Sequence, residues 1–166
     1  MKTWFTSDWH LGHKNIIKYC NRPFNTVEEM NKTIIDNFNN AVKPEDVVFF
    51  LGDYAFNNEY YREYQEILNG NWIFIRGNHD HHKLPYHIEE LILELGKRET
   101  LLIHDPSLYE ETIKRHIVGH VHEKWKIKKT DEGNILINVG VDVWDFKPVS
   151  MEEILQLFDK EERQQK

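Results

Sequence analysis

Five short apolar runs along the chain end in the same way. Trp4-Phe5-Thr6 leads into Ser7-Asp8-Trp9-His10, and Val47-Val48-Phe49-Phe50-Leu51 into Gly52-Asp53. Trp72-Ile73-Phe74-Ile75 leads into Arg76-Gly77-Asn78-His79-Asp80, Leu101-Leu102-Ile103 into His104, and Ile117-Val118 into Gly119-His120-Val121-His122. The runs are rich in aromatic and β-branched residues and have the length of buried strands. Each hands over to Asp, Asn or His. In open α/β sheets, ligands bind at the carboxyl ends of the strands, so the five ends read as one site.

Between the strands the period changes. Met30, Ile34, Ile35, Phe38 and Val42 recur at helical spacing, and Thr26 with Glu29 has the spacing of a capping box. Together they predict a helix from Thr26 to about Ala41. Ser150 and Glu153 repeat the box and start a closing helix. The pattern further predicts a helix over Glu59–Leu68, ended by Asn69-Gly70, and another over Leu84–Leu95, ended by Gly96. A short helix or turn is expected over Gly12–Tyr19. Trp125–Lys129 and Ile135–Val139 alternate around Asp131-Glu132-Gly133-Asn134, as in a hairpin. Asn138–Asp142 then returns to the site, with Asp142 or Trp144 at its rim. No linker, repeat or low-complexity stretch interrupts the chain, so residues 1–166 read as one domain.

Composition narrows the classes. With 166 residues, 40% of them hydrophobic and 30% charged, the chain can bury a real core. No apolar run is long enough to span a membrane, and no signal-peptide pattern opens the sequence. The single cysteine, Cys20, excludes an internal disulfide and a cysteine-built zinc site, which favours a reducing cytoplasm. It reads as a small apolar packing residue. A net charge of -7 argues against binding duplex nucleic acid through its phosphates.

Ten histidines is a high count, and five of them lie in the strand-end motifs. In Asp8-x-His10 and His120-x-His122, an extended backbone points the paired side chains the same way. Asp53 follows a glycine and has two oxygens, enough to bridge two cations. Asn78 offers a neutral oxygen ligand. His79 can give a proton to a leaving oxygen, and Asp80 can orient it. His13, Lys14 and Arg22 are candidates to contact a substrate phosphate, while His81, His82 and His87 read as surface residues and His116 as structural. Asp8, His10, Asp53, Asn78, His104, His120 and His122 make seven N/O ligands. That is too many for one zinc ion and enough for two ions. Two divalent ions about 3.5–4 Å apart suit hydrolysis of a phosphate ester, with a metal-bound water or hydroxide as nucleophile. Manganese, iron, zinc, cobalt and nickel all suit such ligands. No Gly-rich phosphate loop is present.

In this order, Asp8-x-His10, Gly52-Asp53, Gly77-Asn78-His79-Asp80, His104 and Gly119-His120-x-His122 resemble the calcineurin-like metallophosphoesterases over nearly the whole chain. Asn138–Asp142 is similar to that family's closing segment. The resemblance implies a four-layer α/β/β/α sandwich with two sheets face to face and helices outside. It also implies that Asp8, His10 and His122 hold one metal, that Asp53 bridges, and that Asn78, His104 and His120 hold the second. His79 matches the proton donor to the leaving group. His104-Asp105-Pro106 departs from the family's His-Gly. The expected substrate is a small or nucleotide-type phosphomonoester or phosphodiester. The competing reading is a non-catalytic metal-binding scaffold of the same fold, as in the retromer subunit.

Overall fold

The computed structural model describes residues 1–56, 66–80 and 88–164. The first sheet has the order β3-β2-β1-β9. Its strands are β1 (Thr3–Thr6), β2 (Val47–Leu51), β3 (Asn71–Ile75) and β9 (Val149–Ser150). β1, β2 and β3 are parallel, and β9 closes the sheet antiparallel to β1.

The second sheet has the order β4-β5-β6-β8-β7. It is built from β4 (Glu90–Leu95), β5 (Arg98–Ile103), β6 (Arg115–Val118), β7 (Ile127–Lys129) and β8 (Ile135–Asn138). Here β5, β6 and β8 are parallel, and the two outer strands are antiparallel to their neighbours. Both sheets are thus mixed.

Alternation along the strands explains how the sheets stack. Phe5, Phe49 and Leu51 of the first sheet meet Leu102, Ile117, Ile135 and Ile137 of the second in one dry core. The intervening residues face outward. Trp4, Val48 and Phe50 turn to α1 (Ile16–Tyr19) and α2 (Val27–Ala41), where Trp9, Met30, Ile34 and Phe38 cover them. Leu101, Ile103, Val118 and Leu136 face the other way, under Ile113, Tyr109 and Trp125. Among the described residues this last layer is a loop with a 3-10 turn, Pro106–Leu108, rather than a long helix. Helix α3 (Met151–Arg163) adds Ile154 and Phe158 to the core between the sheets.

Both helix starts follow the chemistry of their sequence. Ser150 accepts from the Glu153 N–H at 3.2 Å, and the Glu153 carboxylate accepts from the Ser150 N–H at 3.0 Å. At α2 only half of the box forms. Thr26 accepts from Glu29, but the Glu29 carboxylate reaches back one residue further, to the N–H of Asn25.

Two expected helices change. Leu84–Leu95 contains strand β4 where it is described; residues 84–87 lie outside the described residues. Leu91 and Leu93 pack toward the inter-sheet core, and Ile92 points out. Gly96 is not a helix cap. Gly96 and Lys97 both have positive φ, 59° and 65°, and form the two-residue turn that pairs Leu95 with Arg98. Of the helix expected over Glu59–Leu68, residues 59–65 lie outside the described residues, and the last three positions are not helical. No described helix is long and apolar enough to cross a membrane.

Candidate metal centre

The parallel strands of each sheet end at one shared edge, and backbone bonds stitch the sheets together there. Ser7 donates to Val139 at 3.1 Å, and Val141 donates back to Ser7 at 3.2 Å. Asp8, His10, Asp53, Asn78, His79, His104, His120 and His122 all leave the strands at this edge. Five of them have a left-handed backbone: Asp8 (φ 60°), His10 (51°), Asp53 (60°), His120 (69°) and His122 (50°). Such conformations cost non-glycine residues free energy and persist only where the surroundings enforce them. Their concentration here marks the edge as built to aim side chains.

Two clusters result. Ligand atoms of Asp8, His10 and His122 lie within 4.8 Å of one another, and so do those of Asp53, His104 and His120. Asp53 stands between the clusters. Its Oδ2 lies 3.4 Å from His10 Nε2 and 3.4 Å from His104 Nε2. Asn78 Oδ1 is 3.0 Å from His104 Nε2 and 2.9 Å from His120 Nδ1. Asp8 is fully buried and accepts from Ser7 Oγ at 2.5 Å and from the His120 N–H at 2.9 Å.

The two 3.4 Å spacings around Asp53 are long for hydrogen bonds and suit ligands of a common cation. Bonds of about 2.0–2.2 Å to one ion put neighbouring ligand atoms roughly 3–3.5 Å apart. The buried His10 Nε2 has no hydrogen-bond partner. A buried polar atom left so is costly unless something else satisfies it. His104 donates its Nδ1 proton to the Leu51 carbonyl at 2.6 Å, which leaves Nε2 free to bind an ion. The donor set is all nitrogen and oxygen, suited to divalent transition metals.

Electrostatics agree. Burial pushes His10 down to about 3. Burial also works against ionising Asp53, but His104 and then His10 outweigh it and hold the carboxyl at about 2. Burial opposes charge on His104 and His122 as well. Asp53 and Asp8 nevertheless raise His104 to about 9, and chiefly Asp142 raises His122 to about 10. The cluster thus attracts positive charge.

Close packing at the strand ends needs glycine at Gly52, Gly77 and Gly119; a Cβ on Gly119 would sit 2.6 Å from Ser7 Oγ and 2.7 Å from Asp8 Oδ2. A Cβ on Gly52, at φ 88°, would sit 2.5 Å from the Gly77 backbone and 2.6 Å from His104 Nδ1. A Cβ on Gly77 would collide with the Asp53 carboxylate.

Three expectations change at this edge. Asp80 does not orient the His79 ring; its oxygens accept from the N–H groups of Asp53 (2.8 Å), Gly77 (2.8 Å) and Tyr54 (3.1 Å). It thereby clamps two strand-end loops. His79 is exposed, its N–H bound to Asp53 Oδ1 at 2.8 Å and its ring 5.4 Å from that of His10. Arg22 is buried and cannot reach a substrate phosphate. The Asp142 side chain is buried behind His122, turned away from an open rim. Cys20 is buried as expected, but close to His122 and Asp142. His13 is half-buried beside the site, stacked on Phe56 at 4.6 Å. His81, His82 and His87 lie outside the described residues. No local pattern signals the internal partners of Arg22 or Asp80, since these are set by tertiary contacts.

Comparison with known proteins adds the family context. The model of the calcineurin-like phosphoesterase superfamily domain matches residues 1–150. The chain is 42% identical to an uncharacterized protein of Methanocaldococcus jannaschii, over 96% of this chain and 92% of the other. A structure of a protein of unknown function from Aquifex aeolicus superposes with a TM-score of 0.75 at 29% identity, covering 94% of this chain and 98% of that one. A structure of an archaeal phosphodiesterase shares the fold, with a TM-score of 0.50 at 22% identity over 84% of each chain.

Proposed function

Because the chain belongs to the calcineurin-like phosphoesterase superfamily, we propose that it is a dinuclear metal-dependent hydrolase of phosphomonoesters or phosphodiesters. The observation that carries this reading is the pair of ligand clusters with Asp53 between them, 3.4 Å from a ring nitrogen of each, and a buried His10 nitrogen in the first cluster without a hydrogen-bond partner. Asp8, His10 and His122 would hold one ion and Asn78, His104 and His120 the other, with Asp53 common to both. Manganese, iron, zinc, cobalt and nickel suit this set. Two such ions supply positive charge to a phosphoryl group and lower the pKa of water toward neutrality.

The chain's own residues do the rest. Asp80, Gly52 and Gly77 hold the Asp53 loop in register. Asn78 adds an oxygen without adding charge, which keeps the centre attractive to an anionic phosphate. His79 stands exposed at the mouth, tied by its backbone to Asp53, where it gives a proton to the departing oxygen. A small or nucleotide-type phosphoester fits these requirements.

The test uses metal-stripped protein re-supplied with each ion and offered bis- and mono-p-nitrophenyl phosphate. Turnover should depend on the ion. His79→Ala should keep its ions and lose about 10²–10⁴-fold in rate, and Asp53→Ala should lose ions and turnover together. The proposal fails if the protein binds no divalent ion, or if both variants hydrolyse like the parent. Two tightly bound ions without turnover on any phosphoester would favour the scaffold reading.

A further inference from the structure

Behind the first ligand cluster lies a buried cation that the hydrolysis itself does not use. The Arg22 side chain is fully buried, and that of Asp142 is 2% exposed. All five N–H groups of the guanidinium are engaged. Nε and one Nη reach the two oxygens of Asp142, at 2.7 and 2.9 Å. The remaining three reach the Asp8 carbonyl at 2.7 Å, the Trp9 carbonyl at 2.9 Å and the Met30 sulfur at 3.3 Å. The second Asp142 oxygen also meets His122 Nδ1 at 3.0 Å.

One side chain therefore grips both loops that supply the first cluster. On one side it holds the two carbonyls inside the Asp8–His10 turn, where Asp8 and His10 both have positive φ. On the other, through Asp142, it holds the ring of His122. Only arginine offers this planar fork with five donors; a lysine could satisfy one or two of the acceptors. A buried ion pair adds little to stability by itself, because desolvation offsets the attraction. Its return here is orientation. A carboxylate on Nδ1 makes that nitrogen the proton-bearing one and presents Nε2 to an ion.

The second cluster is held differently. His104 is fixed by the Leu51 carbonyl, and the Asp53 carboxylate by the His79 N–H from the tip of its own sheet. No described hydrogen bond links Arg22 to it. Arg22 also governs a competing arrangement. Cys20, His122 and Asp142 bring a thiol, an imidazole and a carboxylate within 4.8 Å. With both Asp142 oxygens on the guanidinium, and one of them also on His122, the carboxylate of that set is already engaged.

We infer that Arg22 and Asp142 are positioning residues for the Asp8–His10–His122 cluster, so that removing the Arg22 fork weakens one ion of the pair and spares the other. This rests on the two-ion reading. The experiment is calorimetric titration of Mn²⁺ alone into chelator-stripped protein, with the melting temperature of each stripped variant recorded beside it. The parent should take up two ions. Arg22→Gln and Asp142→Asn should keep one at parental affinity and bind the other about 10–100-fold more weakly. Arg22→Lys should recover part of that loss. Asp142→Asn added to His122→Ala should cost little further, since both act on the same ligand, whereas Arg22→Gln added to His122→Ala should cost more, through its hold on the Asp8 and Trp9 carbonyls. Any ion captured by the freed Cys20 set is removed in Arg22→Gln with Cys20→Ser.

The inference is overturned if folded Arg22→Gln and Asp142→Asn bind both ions within threefold of the parent, or lose both equally. A parent that binds fewer than two ions would instead defeat the two-ion reading. If Arg22→Gln does not fold, Asp142→Asn and Arg22→Lys decide the question.

Discussion

The two sheets meet at one edge but are built unlike each other. The first is dry on both faces where β1 and β2 run. Its outer side packs on α2 through an aromatic cluster in which Trp9 touches Phe38, Phe50, Tyr54 and Trp72 at centroid distances of 5.1–5.7 Å. Among the described residues the second has a thin outer layer of loop and, at β4, an outer strand on which Ile92 is 51% exposed. Their contributions to the site follow the same division. The first sheet delivers the carboxylates and the amide, and backbone N–H groups hold Asp53 and Asp80 there. The second delivers three of the imidazoles, oriented by a carbonyl, an amide and a distant carboxylate. A rigid platform thus carries the fixed negative charge, and a more lightly covered sheet brings the rings to it.

The contrast can be broken most forcefully in the cores. Phe38→Ala on the helix side of the first sheet should cost about 3–5 kcal/mol. Leu136→Ala under the loop layer of the second should cost about 2–3 kcal/mol, because a loop can settle into the space more easily than a helix. Urea unfolding of both variants checks the ordering, and equal costs would mean that the two outer layers are equally stiff.

A second difference appears with acid. His116 is fully buried on β6, with one ring nitrogen accepting from the Glu110 N–H at 3.1 Å and the other unpartnered. Burial lowers it to about 4. The unfolded chain therefore takes up a proton near pH 6.5 that the folded sheet refuses. The resulting stability is complete above that pH and is lost as pH falls toward 4. It is worth at most roughly 3 kcal/mol. The difference in melting temperature between the parent and His116→Leu should shrink across this window; a constant difference would remove His116 as the cause.

The smallest effect concerns the outer strand β4. Amides of β4 should exchange with solvent deuterium before those of β1 and β2, since edge strands with few buried contacts open locally. Uniform protection across both sheets would end the distinction.

The strand ends were legible in the sequence because each couples a β-prone run to a polar turn, and one glance at the order of Asp, Asn and His groups them. Helix α2 was legible from its apolar spacing and its threonine. Strand β4 was not. Leucine and glutamate favour helices locally, and Gly96 reads as a cap until both it and Lys97 are seen in the left-handed region. The internal roles of Arg22 and Asp80 are hidden for a related reason. A charged side chain near a site invites a substrate role, and only the folded chain shows that its partners are internal carbonyls and amides.

The stitching of the two sheets at the ligand edge also sets an order of events in folding. Asp8 bonds to the backbone of a residue 112 positions later, and Arg22 to a carboxylate 120 positions later. Contacts of such sequence separation carry a high loop-closure cost and form late. During synthesis, Asp8 and His10 emerge long before His122 and Asp142 exist. The Asp8–His10–His122 cluster is therefore completed only after the sandwich has closed, and ion capture there reports that the fold is finished.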